Sequence, residues 1–483
     1  MSARRLITAA AACTLASGCA VGPDFHTPAR TAQTAYAPAT PTAITAPDGV
    51  AGGTQVLSSG AVAGEWWHAF GSPALDALID RALAANTDLA ATRAGLRQAR
   101  ELWLAQRGVL LPTIDAGATT NRVKGSQYLA PVPNNSSFTY SLQTAQVNVG
   151  YTLDLFGGNR RSVEQARAQY DAQAYQAEAA RITLVNTVAA TAFQRAALQE
   201  QVDRQREVIA LQQDVLAITR HQLAVGQAAG VDLMAQEAQL AQAKGALPPL
   251  EHALAQSQDL LAYLTGQGAA DGPLAPVALS QVTLPHDLPL SLPAQLVRNR
   301  PDIRAAEANL HAASAGVGIA TANRLPQITI GASAGGNSGG WSSLLSAANA
   351  FWSAGAGITQ PIFAGGALLH RQRAARAAYD QADAQYRSTV LAAFQNVADT
   401  LAALAADAAG LAAAQDARRA ACDTLETTAR QARDGAVAPT AELQARIALL
   451  QADQALAQAQ AARLSDTAAF YEALGGGWHS PAG

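Results

Sequence analysis

Residues 160–225 and 367–434 contain no proline and almost no glycine, and are dense in alanine, glutamine, arginine and leucine, all good helix formers. At ~1.5 Å rise per residue each stretch predicts a helix about 100 Å long, far longer than a globular helix. Such a helix needs lateral partners. They are expected from the segments that follow, 231–265 and 440–474, reached through Gly226-Gln227-Ala228-Ala229-Gly230 and Gly435-Ala436-Val437-Ala438-Pro439. Two coiled hairpins are therefore expected, with alanine allowing close helix approach.

The hairpin occurs twice because the chain is duplicated. Asn86-Thr87-Asp88-Leu89 matches Arg300-Pro301-Asp302-Ile303, and Leu111-Pro112-Thr113-Ile114 matches Leu325-Pro326-Gln327-Ile328, both at an offset of 214. Leu155-Phe156-Gly157-Gly158 matches Ile362-Phe363-Ala364-Gly365 at 207, and Gly226 matches Gly435 at 209. The repeats are bounded at 66–273 and 274–483, and each reads as helix, hairpin, very long helix, tight turn, helix. The first helices, expected over 74–110 and 294–324, stop at Pro112 and Pro326, because proline lacks the donor a helix interior requires.

Strands of alternating polarity are expected at Thr113 to Val123, Phe138 to Phe156, Gln327 to Ala334 and Phe351 to Phe363. Ala145, Val147, Val149, Tyr151 and Leu153 share one face against Thr144, Gln146, Asn148 and Thr152, and Trp352, Ala354, Ala356 and Ile358 face away from Ser353, Gly355, Gly357 and Thr359. The phase shifts near Leu142 to Ala145, which predicts either a bulge or different strand limits. Segments of about 10 residues with this pattern suit outer-membrane strands, with Tyr128, Phe138, Tyr140, Trp341, Phe351 and Trp352 as interfacial aromatics. The same pattern also suits two soluble hairpins with one wet face. Four strands cannot close a barrel, for which about 8 is the minimum, so a membrane role demands two, three or four copies.

The N-terminus reads as an address. Arg4 and Arg5 precede the short apolar run Leu6 to Ala16, a signal peptide over 1–18, and the run ends in Leu15-Ala16-Ser17-Gly18-Cys19, similar to a bacterial lipobox with Cys19 as lipid carrier. Ala16 stands where a lipobox usually has leucine, so ordinary cleavage without lipid is the alternative. Residues 19–65 read as an extended leader, with structure expected to start near Trp66-Trp67. Beyond the signal no window of about 18 charge-free apolar residues is found, so no helix is expected to cross a membrane.

Other chemistries are poorly supported. Net charge is −3, without a basic cluster for nucleic acid. Three cysteines, two of them Cys13 and Cys19, build neither a disulfide framework nor a zinc site; Cys422 reads as a small packing residue. The eight histidines show no metal-ligand spacing and read as surface residues. Gly336-Asn337-Ser338-Gly339-Gly340 fits the esterase pattern G-x-S-x-G, but as a loop between strands it lacks the strand-to-helix elbow. Asp88 and Asp302 start matching helices and suit the helix dipole.

Cys19-Ala20-Val21-Gly22-Pro23-Asp24-Phe25, Trp66-Trp67, Leu153-Asp154-Leu155-Phe156-Gly157 with Arg160-Arg161, Arg300-Pro301-Asp302-Ile303, Gln360-Pro361-Ile362-Phe363 and the terminal Tyr471-Glu472-Ala473-Leu474-Gly475-Gly476-Gly477-Trp478 resemble the TolC-like (NodT-like) outer-membrane efflux lipoproteins. The resemblance implies a mainly α chain with a small β part: a homotrimer whose helical barrel continues into a twelve-stranded transmembrane barrel, four strands per chain. It implies a passive exit duct of a tripartite pump, with no cofactor beyond the lipid on Cys19. A periplasmic adaptor (membrane fusion) protein and an inner-membrane RND-type transporter are the implied partners. Arg220, Gly226 and Asp232 then map to one periplasmic tip, and Arg430, Arg433, Asp434, Gly435 and Glu442 to the other, as gate and adaptor-contact candidates. A non-conducting, lipid-anchored periplasmic scaffold is the alternative, and an esterase through Ser338 a distant third.

Overall fold

A computed structural model describes residues 20–29, 35–36, 41–125, 139–272 and 274–478. They divide into two compact units, each drawing on both repeats: one within Met1–Pro28, Leu96–Gln173 and Ala306–Tyr386, the other within Ala29–Gly95, Ala174–Ala305 and Arg387–Gly483.

Helices dominate. In chain order they are α1 (Pro73–Ala85), α2 (Thr87–Gly108), α3 (Gly158–Ala224), α4 (Gly230–Leu264), α5 (Pro293–Asn299), α6 (Pro301–Ala322), α7 (Ala367–Arg433) and α8 (Pro439–Ala473). The long helices α3 and α7 each run 67 residues, and α4 and α8 each run 35. The turns are set by glycine. Gly226 and Gly435 have φ of 76° and 71°, and paired bonds seal each helix end: Gln227 N to Gln222 O at 2.7 Å with Gly226 N to Leu223 O, and Ala436 N to Gln431 O at 2.9 Å with Gly435 N to Ala432 O. This Schellman arrangement satisfies carbonyls that a helix C-terminus leaves without partners.

A single first helix in each half was expected, yet each is broken, at Asn86 (ψ 125°) and at Arg300 (ψ 123°). Both breaks serve the same purpose. Asn86 Nδ2 donates to Leu264 O at the end of α4, and Arg300 Nη1 donates to Ala473 O at the end of α8. In each repeat the break residue thus ties the first helix to the last carbonyls of the final one, satisfying groups no helix can satisfy for itself. Asn86 also caps α2 through Leu89 N at 2.8 Å, while Asp88 accepts from Tyr263 and Asp302 pairs with Arg300 at 2.6 Å.

The helical unit has its core near these ties. Phe70, Leu75, Ile79, Phe193, Leu261, Ile303 and Phe470 are fully buried, with Trp66 stacked on Tyr471 at 5.0 Å and Phe70 against Phe193 at 5.2 Å. Along its length α3 packs on more than the next segment: Val208 joins Ile447 and Leu450 of α8, and Ala243 of α4 packs on the same cluster. Structure also starts before Trp66. β1 (Ala43–Ala46) pairs antiparallel with β2 (Gly53–Ser58), which pairs in parallel with β5 (Asp287–Pro289).

The other unit carries a wholly antiparallel sheet of β3 (Thr113–Lys124), β4 (Thr139–Leu153), β6 (Gln327–Ser338) and β7 (Ala350–Thr359), in the order β3-β4-β6-β7. The bulge expected near Leu142 is absent. The register runs unbroken from Thr113↔Gly150 to Lys124↔Thr139, so the phase shift changes which face is apolar and not the backbone.

No membrane-crossing helix was expected, but α7 holds an 18-residue window of mean hydropathy 1.4, long and apolar enough by length and composition to cross one. Much of that apolarity is alanine methyls, and the helix is about 100 Å long at ~1.5 Å per residue, against a hydrocarbon core of about 30 Å.

Candidate functional site

Register extends two chemically opposite faces across the four-stranded sheet. Ile114, Val149, Ala332 and Ala354 lie in one row, and Ala116, Val147, Ala334 and Trp352 in another. Their opposite face carries Asp115, Asn148, Ser333 and Ser353 in a row, with Thr119, Thr144 and Asn337 in the next but one. Hydrogen bonds knit that polar face: Asn148 Nδ2 to Asp115 Oδ1 at 3.1 Å, Thr144 Oγ1 to Asn337 Oδ1 at 3.0 Å, and Ser333 to Ser353 at 2.7 Å. The apolar face is bare, with Trp352 81%, Ile114 72% and Ile358 71% exposed. Water penalises such a surface, whereas lipid hydrocarbon demands it. Tyr140, Phe351 and Trp352 fall at one end of the strands and Trp341 follows β6 at the same end; Tyr128 and Phe138 lie outside the described residues. Among those residues β3 and β7 are paired on one side only. Their other edges offer backbone groups that only another strand or water can satisfy.

At the two helical tips most of the charged candidates meet groups of their own chain. Arg220 pairs with Glu237 across its own hairpin at 3.0 Å, and Arg430 with Glu426 one turn back at 2.7 Å. Asp232 accepts from Ala229 N at 2.9 Å and so caps α4, while Arg433 donates to Ala429 O at 3.2 Å. Gly226 and Gly435 are the turn residues. Among the described residues Asp434 and Glu442 carry no ion pair. The first tip is apolar, exposing Val225, Val231 and Met234.

Cys19 lies outside the described residues, but the six residues after it are firmly placed. Val21 N donates to Phe156 O at 3.0 Å, Asp24 pairs with the buried Arg161 at 2.6 Å, and Phe25 stacks on His311 at 4.4 Å. The Arg161 guanidinium holds the Asp24 carboxyl below its usual range through a hydrogen bond and its charge. Gly318 permits the approach, since a Cβ there would meet Arg161 at 2.9 Å and Val21 O at 3.0 Å.

A two-faced sheet with open edges and paired long hairpins is what known proteins reproduce. The outer membrane efflux protein family model matches residues 78–267 and 292–476. The chain belongs to that family. The probable efflux pump outer membrane protein TtgC of Pseudomonas putida is 30% identical over 99% of this chain and 97% of its own. The pyoverdine export outer membrane protein OpmQ of the same species is 30% identical over 86% and 88%. The outer-membrane channel OprN superposes with a TM-score of 0.82 at 27% identity, covering 95% of this chain and 100% of that one; the Campylobacter jejuni CmeC outer membrane channel, at 22% identity, shares the fold with a TM-score of 0.83 over 96% of each.

This outer membrane efflux protein is therefore a channel component of an efflux pump, and its role is not enzymatic. Ser338 is the last residue of β6 and not a loop residue as expected; its Oγ donates to Gly340 O at 2.7 Å. Among the described residues no group of three or more His, Cys, Asp or Glu is placed to hold a metal. Cys422 is exposed, not the packing residue expected. His311 is more than a surface residue, since its Nε2 also meets Glu164 at 2.7 Å.

Sequence reasoning missed one group altogether. Arg463 of α8 is fully buried and donates to Ala51 O and Gly53 O, both at 3.0 Å, holding the β1–β2 turn. Gln55 completes the contact by donating to Thr467 at 3.1 Å. Asp407 of α7 lies beside Asp466 of α8, and burial followed by that neighbouring carboxyl pushes its pKa up to about 7. No local pattern announces the Arg463 and Thr467 contacts, because Ala51, Gly53 and Gln55 lie about four hundred residues away in sequence.

Proposed function

We propose that three copies close a twelve-stranded barrel in the outer membrane and a helical duct below it, conducting substrates passed from a periplasmic adaptor and an inner-membrane RND-type transporter. The carrying observation is the sheet: an apolar face for lipid, a hydrogen-bonded polar face for a lumen, and two open edges that a ring removes. The family resemblance supplies threefold closure. Relatives are named for toluene, solvents, antibiotics and pyoverdine, chemistries too different for a polar duct to select, so choice of cargo falls to the pump. Single-channel conductance in planar bilayers, together with native mass spectrometry in mild detergent, tests the reading. A conducting trimer is expected; a non-conducting monomer with an intact fold would support the lipid-anchored scaffold instead.

The tips are the gate in this reading, and Asp434 and Glu442, without an ion pair among the described residues, are the groups available to a neighbouring copy. An exposed pair contributes ~0–1 kcal/mol, so several must act together, and each shifts the closed–open ratio by at most about fivefold. Asp434→Asn with Glu442→Gln removes both available charges while leaving the Asp232 cap of α4 untouched. Resting conductance of this double variant is expected to rise several-fold at low salt and to converge with the parent at high salt; identical conductance at both would show that apolar helix packing holds the tips shut.

Cys19 is proposed as the mature, lipidated N-terminus, and the strap from Ala20 to Phe25 supports this by fixing the following residues against Arg161, Phe156 and His311. Mass spectrometry of the membrane-extracted protein should find Cys19 first and carrying acyl mass. Because the barrel itself holds the membrane, Cys19→Ser is expected to keep its conductance.

A further inference from the structure

The two repeats carry the same elements but not the same cover. The turn after β4, Leu155-Phe156-Gly157-Gly158, is partly buried, and it sits on the C-terminal end of α6, the second helix of the following repeat. A Cβ on Gly158 would meet Ala322 Cβ at 3.0 Å, and Leu155, Phe156, Ile319 and Ala322 line one cavity. The equivalent turn after β7 has no such seat, leaving Ile362 95% and Phe363 90% exposed. The equivalent helix end is equally bare. Leu102 is 62%, Val109 44% and Leu111 66% exposed at and beyond the end of α2, whereas α6 buries Leu310, Ala312, Ala315, Val317 and Ala322.

Within the chain, then, the turn of one repeat rests on the helix end of the next. Among the described residues no repeat seats the turn of the second repeat or covers the helix end of the first. We infer that Ile362 and Phe363 of one copy seat on the end of α2 of a second copy, against Val109 and Leu111, repeating between chains the contact made inside each.

Strand geometry permits the match without rearrangement. Leu153 at the end of β4 pairs with Ile328 near the start of β6. By the repeat offsets of 207 and 214, the equivalent antiparallel pairing of β7 with the β3 of a second copy sets Thr359 opposite Asp115 and Gln360 opposite Ile114, so the residues after one and before the other meet at the base of the seam. Burying two large apolar side chains there stabilises the ring; the contact is heterologous, each copy offering one turn and one helix end, and the proposed threefold rotation is what closes it.

The inference rests on the closed ring proposed above, and the test separates the two. In a Cys422→Ser background, Leu111→Cys with Phe363→Cys is treated in membranes with a short bismaleimide. Covalent dimers and trimers are expected as the major species, and none from either single cysteine. If native mass spectrometry gives a trimer but the pair does not cross-link, the seam is overturned while the ring stands; if no oligomer forms, both fall. Phe363→Trp in a Trp341→Phe, Trp352→Phe background, compared with that background alone, is reconstituted with brominated lipids to check the competing occupant. Emission that lipid does not quench supports the protein seat, and strong quenching would place this turn in the bilayer and overturn the proposal.

Discussion

Lysine in place of Val149 is expected to abolish outer-membrane assembly, while lysine in place of its neighbour Asn148 leaves assembly intact and alters conductance. The two side chains point to opposite faces of β4. Val149 lies between Ile114 and Ala332 near the middle of the sheet and is 37% exposed on the apolar face. A lysine at the bilayer midplane costs ~2–4 kcal/mol in a transmembrane barrel; in the proposed ring of three copies this becomes about 6–12 kcal/mol, comparable with a whole protein's net stability. Asn148 faces the polar side, donating to Asp115 at 3.1 Å beside Ser333, where an ammonium gains a carboxylate partner and water. Flotation of membranes measures the first effect, and single-channel current in salt gradients the second, with selectivity shifting toward anions. Equal membrane recovery of Val149→Lys and the parent would mean that this face never meets lipid.

That pair of outcomes also marks what a sequence discloses. Alternation along β4 and β7 is local, so the two faces were legible, but the register that aligns them across four strands is not encoded within any one strand. The long helices were legible almost to the residue because lack of proline and the glycines at 226 and 435 are sufficient physical causes. The breaks at Asn86 and Arg300 were not, although an asparagine cap signal and a proline at 301 stood there. Their function depends on carbonyls of Leu264 and Ala473 that come close only in the fold. At the tips the charges were seen and their use was not: Arg220, Arg430 and Asp232 are engaged within the chain, which shifts the gate proposal toward Asp434 and Glu442.

Arg463→Ala is expected to release the β1–β2 hairpin and destabilise the helical unit by about 3–5 kcal/mol, the cost of breaking a buried charged contact. The guanidinium has 0% exposure and satisfies the carbonyls of Ala51 and Gly53; Ala51 is itself held at φ 54°, a left-handed conformation that alanine disfavours. Deleting the side chain leaves those carbonyls without donors. It also removes the only charge that lowers the Asp407 pKa, and Asp407 Oδ2 is already buried without a hydrogen-bond partner. That carboxyl titrates near 3.8 unfolded and at about 7 folded. The folded state therefore binds the extra proton, its contribution to stability is full below the unfolded value, and it is lost as pH rises through the folded one. Thermal unfolding of the detergent-solubilised protein should show stability falling between about pH 4 and pH 7. Asp407→Asn should flatten that slope and gain most over the parent at pH 8, while Arg463→Ala should extend the slope to higher pH. Hydrogen exchange distinguishes the local effect from a general one, since residues 43–58 should lose protection in Arg463→Ala before the buried ends of α3 and α8 do. A parent whose stability is flat over this range would mean that Asp407 stays ionised, with Arg463 compensating its burial in full.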